Sequence, residues 1–214
     1  MNKKLFISLT CGALLLGISA CGSSEKASQA IETKEEEQSK QKMKKENFKE
    51  GKTDPTRGIR SNPIVINEIV TVDDVISNNN NGKNPQEIKA KVEISIPKVI
   101  RGDQAYEILK QTEPANRPAP EGKEWVLIKV KGKLVDAETQ DFIYSLDDLH
   151  FELVSKEDQV YDDPQHAITP NPLPKKIYKG AEIDGYISKL VDTGDEFMIR
   201  YETYQHNFIF FESK

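Results

Sequence analysis

Acidic side chains and histidines lie close together at two places in the second half of the chain. The first group is Asp147, Asp148 and His150, and the second is Asp162, Asp163 and His166. Carboxylate oxygens are the usual ligands of calcium and magnesium, and a histidine adds affinity for zinc. The two groups could form one site if the acidic, proline-rich loop over residues 157–174 folds back over the end of the domain. Their spacing is not diagnostic, and acidic pairs on the loops of an acidic domain are usually solvated. We therefore predict no cofactor and no metal, and keep Asp162, Asp163 and His166 as the candidate ligands.

The tripeptide Asp192, Thr193 and Gly194 matches the one that supplies the carboxylate of aspartic proteases. Those enzymes need two carboxylates that share a proton. Only one copy of the tripeptide is present, and Asp195 follows where a small residue is preferred. Because these residues separate two predicted strands, we interpret them as a turn. No serine elbow or glycine-rich phosphate loop is present, so we predict that the chain is not an enzyme. The alternative is a metal-dependent or hydrolytic enzyme that uses the acidic loop residues.

The first twenty residues have the order of a signal peptide, with Lys3 and Lys4 before an apolar run over residues 5–18. That run is too short to span a membrane. The four residues Ile18, Ser19, Ala20 and Cys21 resemble the lipobox of bacterial lipoproteins. The resemblance implies cleavage between Ala20 and Cys21, diacylation of the Cys21 sulfur, and a lipid-anchored protein on the extracytoplasmic face of the cell membrane. At about 0.8 kcal/mol per buried methylene, two acyl chains anchor a protein far more durably than one.

The mature chain would have no other cysteine, because Cys11 lies in the removed peptide. Disulfides, zinc thiolates and a thiol nucleophile are therefore excluded. Residues 22–62 carry ten basic and eight acidic side chains, whereas residues 63–214 carry eighteen basic and twenty-seven acidic ones. An acidic body is repelled by a phosphate-rich surface, so we predict no nucleic-acid partner. Residues 21–62 are rich in Lys, Glu, Gln and Ser and have too few large apolar residues to form a core, so we interpret them as a flexible tether.

Residues 63–214 are enough for one domain with one core. In residues 88–96, five apolar side chains alternate with four polar ones, which is typical of a half-buried strand. Alternation or an apolar run predicts further strands over 126–134, 64–72, 149–154, 183–190, 197–201 and 208–211. One short helix is predicted over 103–111, where Asp103 can cap the start and Pro114 follows the end. We expect a mostly β fold, an antiparallel β-sandwich of about seven strands with one helix.

Three segments carry a resemblance to a known family. They are residues 101–106, the proline-containing run from Asn116 to Val130, and the block from Tyr178 to Ile187, with Phe208 to Phe211 as a closing strand. They resemble a family of Gram-positive lipoproteins that have a domain of unknown function. That family is related to a small secreted mycobacterial antigen and is sometimes labelled telomeric repeat-binding factor-like. The resemblance implies an immunoglobulin-like fold and names no catalytic group. The loop over 157–174 departs from the family pattern.

Aromatic residues are concentrated near the C-terminus, and most of them are expected in the core. Phe210 and Phe211 are adjacent, so on a strand they point to opposite faces and one of them must lie outside the core. Phe210, Phe211 and Tyr204 are therefore the candidate partner surface. We predict a noncatalytic binding module at the bacterial cell surface, whose partner is a protein or an envelope polymer. A solute-binding lipoprotein is the further alternative.

Overall fold

The computed structural model describes residues 56–78, 86–162, 165–173 and 175–214 of the 214-residue chain. Within those residues the chain forms nine strands and one α-helix. In chain order they are β1 (Val70–Asn78), β2 (Gln86–Arg101), α1 (Gly102–Thr112), β3 (Lys123–Ala137), β4 (Tyr144–Leu146), β5 (Phe151–Ser155), β6 (Lys175–Ile177), β7 (Glu182–Asp192), β8 (Phe197–Glu202) and β9 (Phe208–Glu212). The predicted signal peptide, Cys21 and most of the predicted tether lie outside the described residues.

Two antiparallel sheets provide the architecture. The large sheet has the order β1-β2-β3-β7, and the small sheet has the order β5-β8-β9. A third pair, β4 with β6, is only three residues long on each side. The strands β1, β2 and β3 form a meander, and β7 adds to the other edge of β3. The arrangement is the two-layer antiparallel sandwich that immunoglobulin-like domains share, with a strand order of its own.

The main core lies between the two sheets because alternate residues of each strand point inward. On β2, the side chains of Val92, Ile94 and Ile96 have no exposed surface. The small sheet contributes Phe151 and Phe211, and both belong to the same buried cluster. This packing confirms the predicted strand over residues 88–96 and the sandwich itself.

A second, smaller core covers the outer face of the large sheet. Trp125 and Leu127 are on the side of β3 opposite the main core, where they pack with Ala105 and Leu109 of α1 and with Leu190 of β7. The sequence predicted this helix over 103–111, and the structure confirms it. Helix α1 therefore forms a third layer over one half of that face.

Residues 165–173, which we call the strap, run along β7 on the same outer face, where Ala167 packs against the second core. The strap is attached by Asn116, whose Nδ2 donates to the carbonyls of Ile168 and Leu109, at 2.8 Å each. Its end runs beside β7, where a β-carbon on Gly185 would lie 2.8 Å from the Cδ2 of Leu173. Glycine at 185 is therefore required by close approach.

The strand predictions were right in kind and wrong in three details. The described residues contain nine strands rather than seven, because β4 and β6 are too short to show alternation. The strand predicted over 64–72 begins only at Val70, since Asn67 has a φ of 69° and turns the chain. The strand predicted over 149–154 begins at Phe151, after a single 3-10 turn at Asp148–His150. Among the described residues, no helix is long and apolar enough to cross a membrane.

Candidate functional site

The Asp192, Thr193 and Gly194 tripeptide is a turn between β7 and β8, as the sequence predicted. The Asp195 N–H donates to the Asp192 carbonyl at 3.0 Å, and Gly194 has a φ of 80°. The Asp192 carboxylate pairs with Lys123 at 2.8 Å and is more than half exposed. These residues have the geometry of a structural turn at the sheet edge.

The described candidate metal ligands do not form a cluster of three or more. Asp147 and His150 form a local pair, with 2.9 Å between the carboxylate and the imidazole Nδ1. His166 is exposed on the strap, with its Nδ1 3.9 Å from Asp148, and Asp163 lies outside the described residues. Over residues 56–78, 86–162, 165–173 and 175–214, no three His, Cys, Asp or Glu side chains are grouped so that they could hold a metal ion. His150 lies in the strand predicted over 149–154, and that placement is wrong, because it belongs to the 3-10 turn and its ring packs against Tyr204, with 4.7 Å between centroids.

Two of the three residues predicted for a partner surface point into the fold. Phe211 has no exposed surface and belongs to the main core. Tyr204 packs against that core, and its hydroxyl donates to the Ser145 carbonyl at 2.9 Å. The strand alternation that places Phe211 inside places Phe210 on the opposite, outer face of the small sheet, where it is half-buried. The candidate surface therefore keeps Phe210 and loses Phe211 and Tyr204.

Phe208 extends this surface along β9. It is 43% exposed, and the Arg200 guanidinium lies over its ring, 4.5 Å from the centroid. Arg200 also pairs with Glu152 of β5, so one cation connects all three strands of the small sheet. Its Nε is buried and has no hydrogen-bond partner. The pairing register places Met198 on the same face, one row away from Arg200.

A groove of about 480 Å³ continues this surface beyond the ends of β8 and β9. Phe197 and Met198 line its apolar part. The rim is charged and internally paired, with Glu196 in contact with both Lys156 and Lys214, and Arg60 with Asp158. We call the combined area of Met198, Arg200, Phe208 and Phe210 the outer face of the small sheet. In contrast to the large sheet, no described helix or strap covers it.

A second concave site, which we call the edge cavity, lies where β5 approaches β7 at the open side of the sandwich. Its volume is about 380 Å³. Its lining combines apolar side chains with several that can carry charge, and they are Leu149, Phe151, Glu152, Leu153, Val160, Tyr161, Asp162, His166, Lys189 and Leu190. Lys189 is only 7% exposed. Asp162 and His166, two of the predicted metal ligands, are thus both on its rim.

A buried polar network connects β1, β4 and β8 inside the sandwich. Asp74 of the edge strand β1 is 2% exposed, and its carboxylate accepts from the Tyr144 hydroxyl at 2.8 Å. The Tyr144 hydroxyl is in turn 2.8 Å from that of Tyr201. Backbone N–H groups of Val75, Tyr204 and Gln205 also donate to Asp74. Burial outweighs these hydrogen bonds and raises the pKa of Asp74 above its ordinary value. An inward-pointing carboxylate on an edge strand also discourages strand addition by another chain.

Lys189, Asp74 and Phe208 were not predicted as site residues. Lys189 and Asp74 have a common feature that could have revealed them. Each interrupts a set of apolar residues at alternate positions, Asp74 between Val72 and Ile76, and Lys189 between Ile187 and Val191. A charged residue at an inward position of a strand is a departure that marks structural or functional sites.

No family model matches the chain, and no curated protein matches it. Among solved structures it is similar to a putative lipoprotein, ycdA, from Bacillus subtilis, with a TM-score of 0.39 and 13% identity over 56% of this chain and 35% of that one. It is also similar to the yjhA protein from Bacillus subtilis, with a TM-score of 0.43 and 9% identity over 71% of this chain and 99% of that one. The chain thus spans about a third of the ycdA structure. Both likenesses are weak, and neither identifies a family.

Proposed function

We propose that the chain is a lipid-anchored protein on the extracytoplasmic side of a bacterial membrane and that its β-sandwich is a noncatalytic binding domain. The lipobox resemblance at Cys21 supports the anchor. The tether would separate the domain from the lipid surface. A flexible segment of about 40 residues has a root-mean-square reach of roughly 35 Å, which is enough to raise the domain above the headgroups.

The observation that carries the binding role is the contrast between the two sheets. The outer face of the large sheet is partly covered by α1 and the strap. The outer face of the small sheet instead presents Phe208, Phe210 and Met198 around Arg200. Aromatic residues, Met and Arg are the types enriched at protein interfaces. This composition favours another protein as the partner over a wall polymer.

The noncatalytic assignment is supported by what the acidic side chains do. Asp192 pairs with Lys123, Asp195 accepts from Tyr161, and Asp147 holds His150. Each of these carboxylates stabilises a turn or connects two elements. A general acid or base needs its partner group positioned toward a reacting atom, and these three groups are directed at neighbouring parts of the fold.

The test replaces Phe208 and Phe210 with Ser in one variant and the exposed Tyr178 with Ser in a matched control. Tyr178 is 52% exposed and lies after β6, outside the small sheet. Both variants should be exported and should melt close to the wild-type temperature, because Phe208 and Tyr178 are exposed and Phe210 is only half-buried. We expect the first variant to fail, and the control to succeed, in restoring the phenotype of a deletion strain. Full restoration by a correctly folded Phe208/Phe210 variant would contradict the proposal.

A further inference from the structure

Glu212 is the exception to the charge pairing around the groove at the ends of β8 and β9. It is half-buried near the end of β9, and the strand register places its side chain directly opposite Met198 on the outer face of the small sheet. Both side chains line the groove. Among the described residues, no side chain forms an ion pair or a hydrogen bond with the Glu212 carboxylate. A half-buried carboxylate without a cation is a group that a partner can neutralise.

The other charged side chains of the rim are paired within the chain. Arg60 pairs with Asp158. Glu196 pairs with both Lys156 and Lys214. The two lysine side chains are 67% and 73% exposed, so water screens the positive charge that Glu196 leaves over. In the described part of the chain, the carboxylate at the end of β9 is therefore the charge at the groove that lacks a counter-ion.

The charge of the domain and the apolar wall of the groove both limit what can bind beside Glu212. Residues 63–214 carry eighteen basic and twenty-seven acidic side chains, a net charge of −9, which attracts basic segments and repels acidic ones. Phe197 and Met198 supply the apolar wall, so a bound group needs an apolar stem behind its charge. Lysine and arginine side chains have this combination of an apolar stem and a cationic end.

We propose that the groove binds a lysine or arginine side chain of a partner protein, with the cation paired to Glu212 and the alkyl stem in contact with Met198. This inference rests on the proposed function, because it specifies the segment that the partner brings to the outer face of the small sheet. The groove volume of about 480 Å³ exceeds that of one side chain, so the backbone of an extended segment can lie there too. Phe210 follows on the same face of β9, so the segment can continue over the aromatic surface.

The experiment is photo-cross-linking of the full chain in living cells, with the photoreactive amino acid at position 61. Ser61 is exposed and lines the groove, and it takes no part in the proposed contact. Glu212→Gln removes the charge at constant shape, and Glu87→Gln makes the same change at an exposed position of β2. We expect the adduct to map to a partner segment that contains Lys or Arg, and its yield to fall about fivefold or more in Glu212→Gln only. An adduct on a segment without either residue, or an equal yield in Glu212→Gln, would overturn the proposal.

A charge exchange between the two proteins tests the pair itself. Glu212→Lys should abolish the adduct, and changing the mapped basic residue of the partner to Glu should restore it in that background. Both Glu212 variants should melt close to the wild-type temperature, because the carboxylate has no partner within the described fold. Failure of the exchange to restore the adduct, with both proteins folded, would show that the two charges do not meet. An adduct from position 208 without one from position 61 would refute this groove and leave the proposed partner surface standing, whereas no adduct from either position would refute both.

Discussion

Replacing Trp125 with Ala should destabilise the whole domain through the second core. Trp125 is 1% exposed and packs between α1 and the outer face of the large sheet, and its Nε1 donates to the Arg117 carbonyl at 3.0 Å. Truncation removes the buried ring and leaves a cavity, at a typical cost of about 3 to 5 kcal/mol. Loss of the donor adds about 1 kcal/mol, because the Arg117 carbonyl loses its partner. For a domain of this size, each kcal/mol lowers the melting temperature by roughly 2 to 4 °C.

The assay is urea unfolding at equilibrium, followed by circular dichroism, because Trp125 is the only tryptophan of the chain and neither variant keeps its fluorescence. A Trp125→Phe control keeps most of the apolar contact and loses the hydrogen bond, so its loss of unfolding free energy should be much smaller than that of the Ala variant. Hydrogen exchange in Trp125→Ala should accelerate first in α1, because Ala105 and Leu109 lose their main contact. A loss below about 1 kcal/mol for the Ala variant would refute the assignment of a second structural core, since buried aromatic truncations cost several times more.

Three further predictions concern single residues. Asp192→Asn should change the unfolding free energy by no more than about 0.5 kcal/mol and leave the phenotype intact, because the carboxylate is an exposed turn group; a stable variant that loses the phenotype outright would show that this group takes part in chemistry. Burial raises the folded-state pKa of Asp74 above its ordinary value of 3.8. Between the unfolded-state and folded-state pKa values, the folded state binds more protons than the unfolded state. The contribution of Asp74 to the free energy of unfolding therefore falls as pH rises through that window. Urea unfolding across that range should show this fall in wild type relative to Asp74→Asn, and a rise instead would mean that the pKa is lowered. Cys21→Ala should abolish metabolic labelling with a fatty acid, and unchanged labelling would disprove lipidation at Cys21.

Much of the fold follows from local pattern. The alternation over residues 88–96 predicted a strand with one face in the core, because period-two placement decides which side of a strand each residue occupies. Asp103 and Pro114 bounded the helix to within a residue or two of the observed Gly102–Thr112. The three-residue strands β4 and β6 were not predictable, since their pairing depends on contacts between segments about 30 residues apart.

The sites were less predictable than the fold, because they depend on which elements meet. Phe210 and Phe211 could be assigned to opposite faces from their adjacency, but not to inner and outer, since that depends on the register with β8. The exposed position of Phe208 follows from the same register. Lys189 reaches a cavity only because β5 lies beside β7, and no spacing in the sequence indicates that approach. Asp74 likewise shows its role only when β4 and the β8–β9 turn bring Tyr144 and Tyr204 to it.

The outer face of the small sheet can be tested most directly by photo-cross-linking in living cells. A photoreactive amino acid at position 208 should form a discrete adduct with another envelope protein, and the adduct should disappear when Phe210 is also changed to Ser. The same group at position 178 should not form that adduct, although Tyr178 is more exposed than Phe208. An adduct with wall polymer alone would contradict the protein partner, and the absence of any adduct at position 208, or the same adduct from both positions, would contradict a binding role for this face.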